Sequence, residues 1–130
     1  MNIKFYVPFE TAKMLKAQGY PQSGSDMYYN PNSELKTQVE LIAGYKEDYP
    51  TMIKYYIAAP AYCEVIDWLA ESKEIYIDVD RTRERVVKIP LWHCYIWNKY
   101  QFIGAIITAS YPTREQAINA AIIRVLEELL

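Results

Sequence analysis

Residues 60–130 read PAYCEVIDWLAESKEIYIDVDRTRERVVKIPLWHCYIWNKYQFIGAIITASYPTREQAINAAIIRVLEELL. Its punctuation divides the stretch into a helix, three strands and a second helix, and that order decides the fold class. Pro60 suits a first helical turn, and Tyr62, Val65, Ile66 and Leu69 then make one apolar face to about Ser72, with Glu64, Asp67 and Glu71 largely off it. Ile75, Ile77 and Val79 alternate with Tyr76, Asp78 and Asp80, the pattern of a half-buried strand. Arg81-Thr82-Arg83-Glu84 reads as a charged hairpin loop. Arg85 to Trp97 is the second strand, interrupted by Pro90; proline has no N–H for the ladder, which predicts an edge strand or a bulge. Asn98-Lys99 is a turn, and Tyr100 to Ala109 a third strand with Gly104 at a bend. Thr113 and Gln116 have capping-box spacing, after which Ala117, Ile118, Ala121, Ile122, Val125 and Leu129 form a continuous apolar face. The expected fold is α+β: an antiparallel three-stranded sheet with helices 60–72 and 113–129 on one face.

Upstream, Ile3 to Val7 is a short β-like run, and Phe9 to Gln18 has helical composition with Gly19 placed to end it. Asp26 to Tyr29 and Met52 to Ile57 are candidate strands, with Asn30-Pro31-Asn32-Ser33 a strong turn signal. Glu34 to Ala43 alternates imperfectly and leans towards strand. The N-terminal helix and short strands are expected to extend the sheet or cover an edge. Residues 1–130 contain no linker-like tract, which favours a single globular domain.

Composition narrows the function. With 130 residues, 52% hydrophobic and 23% charged, the chain is ordinary for a globular protein that buries roughly two thirds of its unfolded surface. A net charge of −2 predicts neither a strongly basic nucleic-acid binder nor an acidic tail. Tyrosine is the outlier, at 13 against 3 Phe. Its ring is apolar and its hydroxyl wants a partner, so it suits half-buried strands and wet interfaces. Tyr28, Tyr29, Tyr45, Tyr49, Tyr55 and Tyr56 concentrate in the middle third, which reads as the adaptable surface. Cys63 and Cys94 read as small buried hydrophobes in a reducing compartment, with a single bridge between them left open by the sequence. No run approaches a membrane span or a signal peptide, so the expected location is cytoplasmic.

Two segments carry a resemblance. Ala59-Pro60-Ala61-Tyr62-Cys63-Glu64-Val65-Ile66-Asp67-Trp68-Leu69 resembles an APTYxxVxDWL stretch of small uncharacterised proteins of gut Bacteroidales and their phages and mobile elements. Tyr111-Pro112-Thr113-Arg114-Glu115-Gln116-Ala117-Ile118 resembles the Y-x-T/S-x-E-E-A start of their closing helix, and Phe5 to Ala12 their opening. The resemblance implies a mobile-element origin. Its motifs are structural, a helix face and a capping box, and it supplies no catalytic residue.

Catalytic vocabulary is sparse. His93 is the sole histidine, and Cys94, its neighbour on a strand, points to the opposite face. Cys63 with His93 is the remaining thiol–imidazole pairing. Two cysteines and one histidine do not supply a zinc site, and Asp78, Asp80 and Glu84 read as a solvated face rather than a hard-cation site. Four glycines leave little scope for a phosphate loop. No metal or cofactor is expected.

Binding has better candidates. Arg81, Arg83, Arg85 and Lys88 form a cationic cluster offset locally only by Glu84, with the three arginines on one side of the chain by alternation. Trp92, Trp97 and Tyr100 are candidate exposed aromatics on the following strands. The helix–β–β–β–helix order is also that of double-stranded RNA-binding domains. Glu115 after Arg114, with Glu127 and Glu128, makes this closing helix net acidic and unsuited to phosphate. The sequence therefore points to a non-enzymatic accessory protein acting through a Tyr/Trp-rich surface on a protein partner or a second copy. Nucleic-acid binding through residues 81–88 ranks second, and a Cys63-dependent enzyme third.

Overall fold

The computed structural model describes residues 5–40, 55–81, 91–98 and 105–130. The chain contacts group into two units, residues 1–61 and 62–130, each taken by itself. Together they give helices and two three-stranded antiparallel sheets, an α+β fold.

In the first unit, helix α1 spans Phe9–Ala17 behind Pro8, whose extended backbone suits an N-cap. The helix ends in a Schellman motif: the Tyr20 N–H donates to the Leu15 carbonyl at 2.9 Å and the Gly19 N–H to Lys16 at 3.2 Å. Gly19 sits at φ 91, a left-handed conformation that favours glycine. Strand β1 (Met27–Tyr29) lies between β2 (Leu35–Thr37) and β3 (Ile57–Ala58). Asn30 builds the β1–β2 turn, its Oδ1 accepting from the N–H groups of Asn32 at 2.9 Å and Glu34 at 3.0 Å. The expected strand over 34–43 stops at Thr37. There Thr37 and Glu40 cap one another, with the Glu40 N–H donating to Thr37 Oγ1 at 3.1 Å and the Thr37 hydroxyl to Glu40 Oε1 at 3.0 Å, so a helical turn begins at Gln38. Residues 41–43, like Ile3 and residues 52–54, lie outside the described residues. Rather than extending the C-terminal sheet, the N-terminal strands form a sheet of their own.

Tyr28, Tyr29 and Tyr56 of this unit pack inward. Tyr28, Tyr56 and Ala58 form a buried cluster. The Tyr28 hydroxyl donates to the Gln22 carbonyl at 2.8 Å and accepts from the Ser25 N–H at 3.3 Å. That of half-buried Tyr29 donates to the Val7 carbonyl at 2.7 Å, and its ring meets Phe9 edge-on at 5.4 Å. Burial raises the Tyr29 phenol above its ordinary pKa. The middle third is therefore structural where it is described, with Tyr55 exposed; Tyr45 and Tyr49 lie outside the described residues.

In the second unit, helix α2 (Tyr62–Lys73) is followed by β4 (Ile75–Arg81), β5 (Trp92–Asn98), β6 (Ile106–Ile107) and α3 (Arg114–Arg124). The first helix starts two residues later than Pro60. Pro60 is held in the first unit, its carbonyl accepting from the Val7 N–H at 3.0 Å, and Ala61 bridges Tyr6, so the chain stays extended to that point. Glu74, at φ 55, makes the one-residue reversal from α2 into β4. The capping box of α3 forms as expected: the Gln116 N–H donates to Thr113 Oγ1 at 3.1 Å and the Thr113 N–H to Gln116 Oε1 at 3.2 Å. Past Arg124 the helix widens into a π-helical turn, Val125–Leu129. Among the described residues, no helix is long and apolar enough to cross a membrane.

The sheet runs β4–β5–β6, antiparallel throughout. Pro90 predicts an edge strand or a bulge; the described part of the strand, Trp92–Asn98, is central rather than an edge, hydrogen-bonded on both sides, and a bulge at Pro90 lies outside the described residues. Helices α2 and α3 pack on one face. Val65 and Leu69 from α2, Ala117, Ile118, Ala121 and Ile122 from α3, and Ile75, Ile77, Cys94 and Ile96 from the strands are all buried there.

Candidate interaction surface

Strand alternation sends every second residue away from that core. On β4 these are Tyr76, Asp78 and Asp80; on β5 they are His93, Tyr95 and Trp97. The register places Tyr76 opposite Trp97, Asp78 opposite Tyr95, and Asp80 opposite His93. On the far side of β5, Ile107 faces Tyr95. The result is an open sheet face with an aromatic ladder on its central strand, a carboxylate pair on one flank and an aliphatic side chain on the other. Tyr76 is 47% exposed, Trp97 45% and Ile107 58%, so each of these three large side chains presents about half of its surface to solvent. His93 and Tyr95 meet edge-on, with ring centroids 5.0 Å apart. Asp78 is exposed, and Asp80 Oδ1 accepts from the Arg81 N–H at 2.8 Å.

Of the predicted binding residues, Arg81, Trp92 and Trp97 are described, and they do not share one face. Arg81 is exposed but belongs to β4 rather than to a loop, paired with Trp92. A turn over 81–84 would set Asp80 against Arg85; the observed register sets it against His93. By parity Arg81 and Trp92 lie on the helix side of the sheet. Trp92 is half-buried, its N–H and carbonyl both bonded to Tyr111 at 2.7 Å. Trp97, five residues on, lies on the other face, so the two tryptophans cannot share one surface. Arg83, Arg85, Lys88 and Tyr100 lie outside the described residues. Tyr76, Tyr95 and Ile107 were not singled out from the sequence. Alternation alone places Tyr76 on the polar side of its strand; its cross-strand partner Trp97 is what makes it part of this surface.

The thiols separate. Cys63 is exposed in the first turn of α2, contrary to the expectation of a buried residue, because its neighbours Tyr62 and Val65 take the core-facing positions. Cys94 is fully buried; burial pushes its thiol up to about 11, with Arg114 opposing the shift and Asp78 adding to it. Its N–H donates to Thr108 Oγ1 at 2.8 Å, which ties β5 to the end of β6. His93 faces away from Cys94, as alternation requires. Among the described residues no group of three or more His, Cys, Asp or Glu is placed to hold a metal ion.

Compared with protein-family models, curated proteins and solved structures, the chain matches none.

Proposed function

We propose that this chain is a non-enzymatic interaction protein of mobile-element type, and that the open face of β4–β5–β6 is where it docks a protein partner. One observation carries the reading: Tyr76 and Trp97, directly paired across two strands, both stay about half exposed on the sheet face opposite α2 and α3. Large aromatics clustered at the surface are enriched where proteins meet, since they bury much area at little entropic cost. The resemblance of residues 59–69 and 111–118 to small mobile-element proteins supports the origin but names no partner.

The test compares wild type with Trp97→Ala and Tyr76→Ala. Multi-angle light scattering reads self-association, and fluorescence anisotropy reads binding of basic, acidic and neutral aromatic peptides. The expected result is at least one interaction that both substitutions weaken about tenfold, with the fold unchanged by circular dichroism. A strict monomer that binds no peptide class, or binding indifferent to both substitutions, would overturn the proposal.

A further inference from the structure

We infer that the occupant of this face is a cationic, extended protein segment in which lysine or arginine alternates with small residues. The inference rests on the docking reading above and adds the chemistry of the partner. Asp78 and Asp80 stand on the same face as Tyr76, Tyr95 and Trp97, and the described residues of that face include no lysine or arginine. Ring faces attract cations through their quadrupole, and a neighbouring carboxylate adds a direct charge partner. Residues two apart on a strand are roughly 7 Å apart, so cations at alternate positions of an extended partner match the Asp78–Asp80 spacing. The register sets Tyr95 opposite Asp78 and His93 opposite Asp80, so the aliphatic stems of such cations would cross those rings.

The same charges disfavour two other occupants. A second copy docked about a two-fold axis through the carboxylate strand would bring Asp78 and Asp80 against their own equivalents. Nucleic acid could stack bases on the rings, but its phosphates would approach the carboxylates rather than a basic groove.

The experiment measures anisotropy of a labelled peptide of alternating lysine and glycine, beside a glutamate–glycine peptide and single-stranded oligouridine. The proteins are wild type, the Asp78→Asn/Asp80→Asn double variant, and a charge-matched control, Glu127→Gln/Glu128→Gln, on the exposed side of the closing π-helical turn. Asparagine retains an oxygen acceptor for the Arg81 N–H, so the double variant keeps its local bond. The expected result is binding of the lysine peptide alone, weakened by salt, lost about tenfold in the aspartate variant and unchanged in the control. No binding of the lysine peptide, equal loss in both double variants, or preferential binding of oligouridine would overturn the inference. If a neutral peptide or self-association instead proves sensitive to Trp97→Ala, the cationic partner is wrong and the docking face stands. If nothing responds to Trp97→Ala, both fall.

Discussion

Tyr28 and Tyr76 are both strand tyrosines, and they have opposite fates. Tyr28, on the central strand of the first unit, is fully enclosed, with both hydrogen-bonding roles of its hydroxyl met by main-chain groups. Tyr76, on an outer strand of the second unit, stands half exposed beside an equally exposed tryptophan. Residue type therefore does not separate a core aromatic from a docking aromatic. What separates them is whether a second layer covers that face of the sheet. In the second unit α2 and α3 cover the Ile75, Ile77, Cys94 and Ile96 face and leave the other open.

The largest test of this contrast is truncation on each side of it. Tyr28→Ala should cost about 3–5 kcal/mol, because it empties a packed site, whereas Trp97→Ala should stay within about 0.5 kcal/mol of wild type in urea unfolding. Comparable losses would mean that the open face is covered after all. A second test concerns the layer beneath that face. The Cys94 thiol titrates at about 11 in the fold against an ordinary 9.0, so the folded state holds its proton more tightly than the unfolded chain. Its stabilisation is complete below about pH 9 and is lost as pH rises towards 11, a decline of about 2 kcal/mol that Cys94→Ala should flatten. A wild-type curve no steeper than that of Cys94→Ala would show the thiol to be solvated. The smallest effect comes from single oxygens. Tyr28→Phe should destabilise by about 1 kcal/mol and Tyr76→Phe by close to none, measured as shifts in the urea midpoint.

Features whose causes are local were legible. The capping box at Thr113 and Gln116, the Gly19 stop, the Asn30 turn and the alternation of 75–80 all depend on groups a few residues apart, and each forms as its spacing predicts. A second capping box, Thr37 with Glu40, is equally local, but it lies inside an imperfect alternation that masks it. The candidate surface was only partly legible. Trp97 was identified, but it was grouped with Trp92, although an odd separation along a strand sends two side chains to opposite faces. Tyr76 and Tyr95 could be recognised as surface partners of Trp97 only once the register across β4 and β5 was known. The 81–84 loop read from the sequence would set Asp80 against Arg85, whereas the register pairs it with His93, so pairing across the sheet and not local turn chemistry fixes these neighbours.

By itself, the sequence determined the α+β class, the helix–β–β–β–helix order of the second unit and the alternation of residues 75–80, because these follow from backbone propensity and side-chain period over short distances. Tertiary structure alone decided that β5 is central rather than an edge and that Tyr28 is core while Tyr76 is surface. It also decided that Asp78 and Asp80 stand beside an aromatic ladder. Those outcomes depend on which face of a sheet another layer covers and on the pairing across it, and both are set by contacts between residues far apart in the chain.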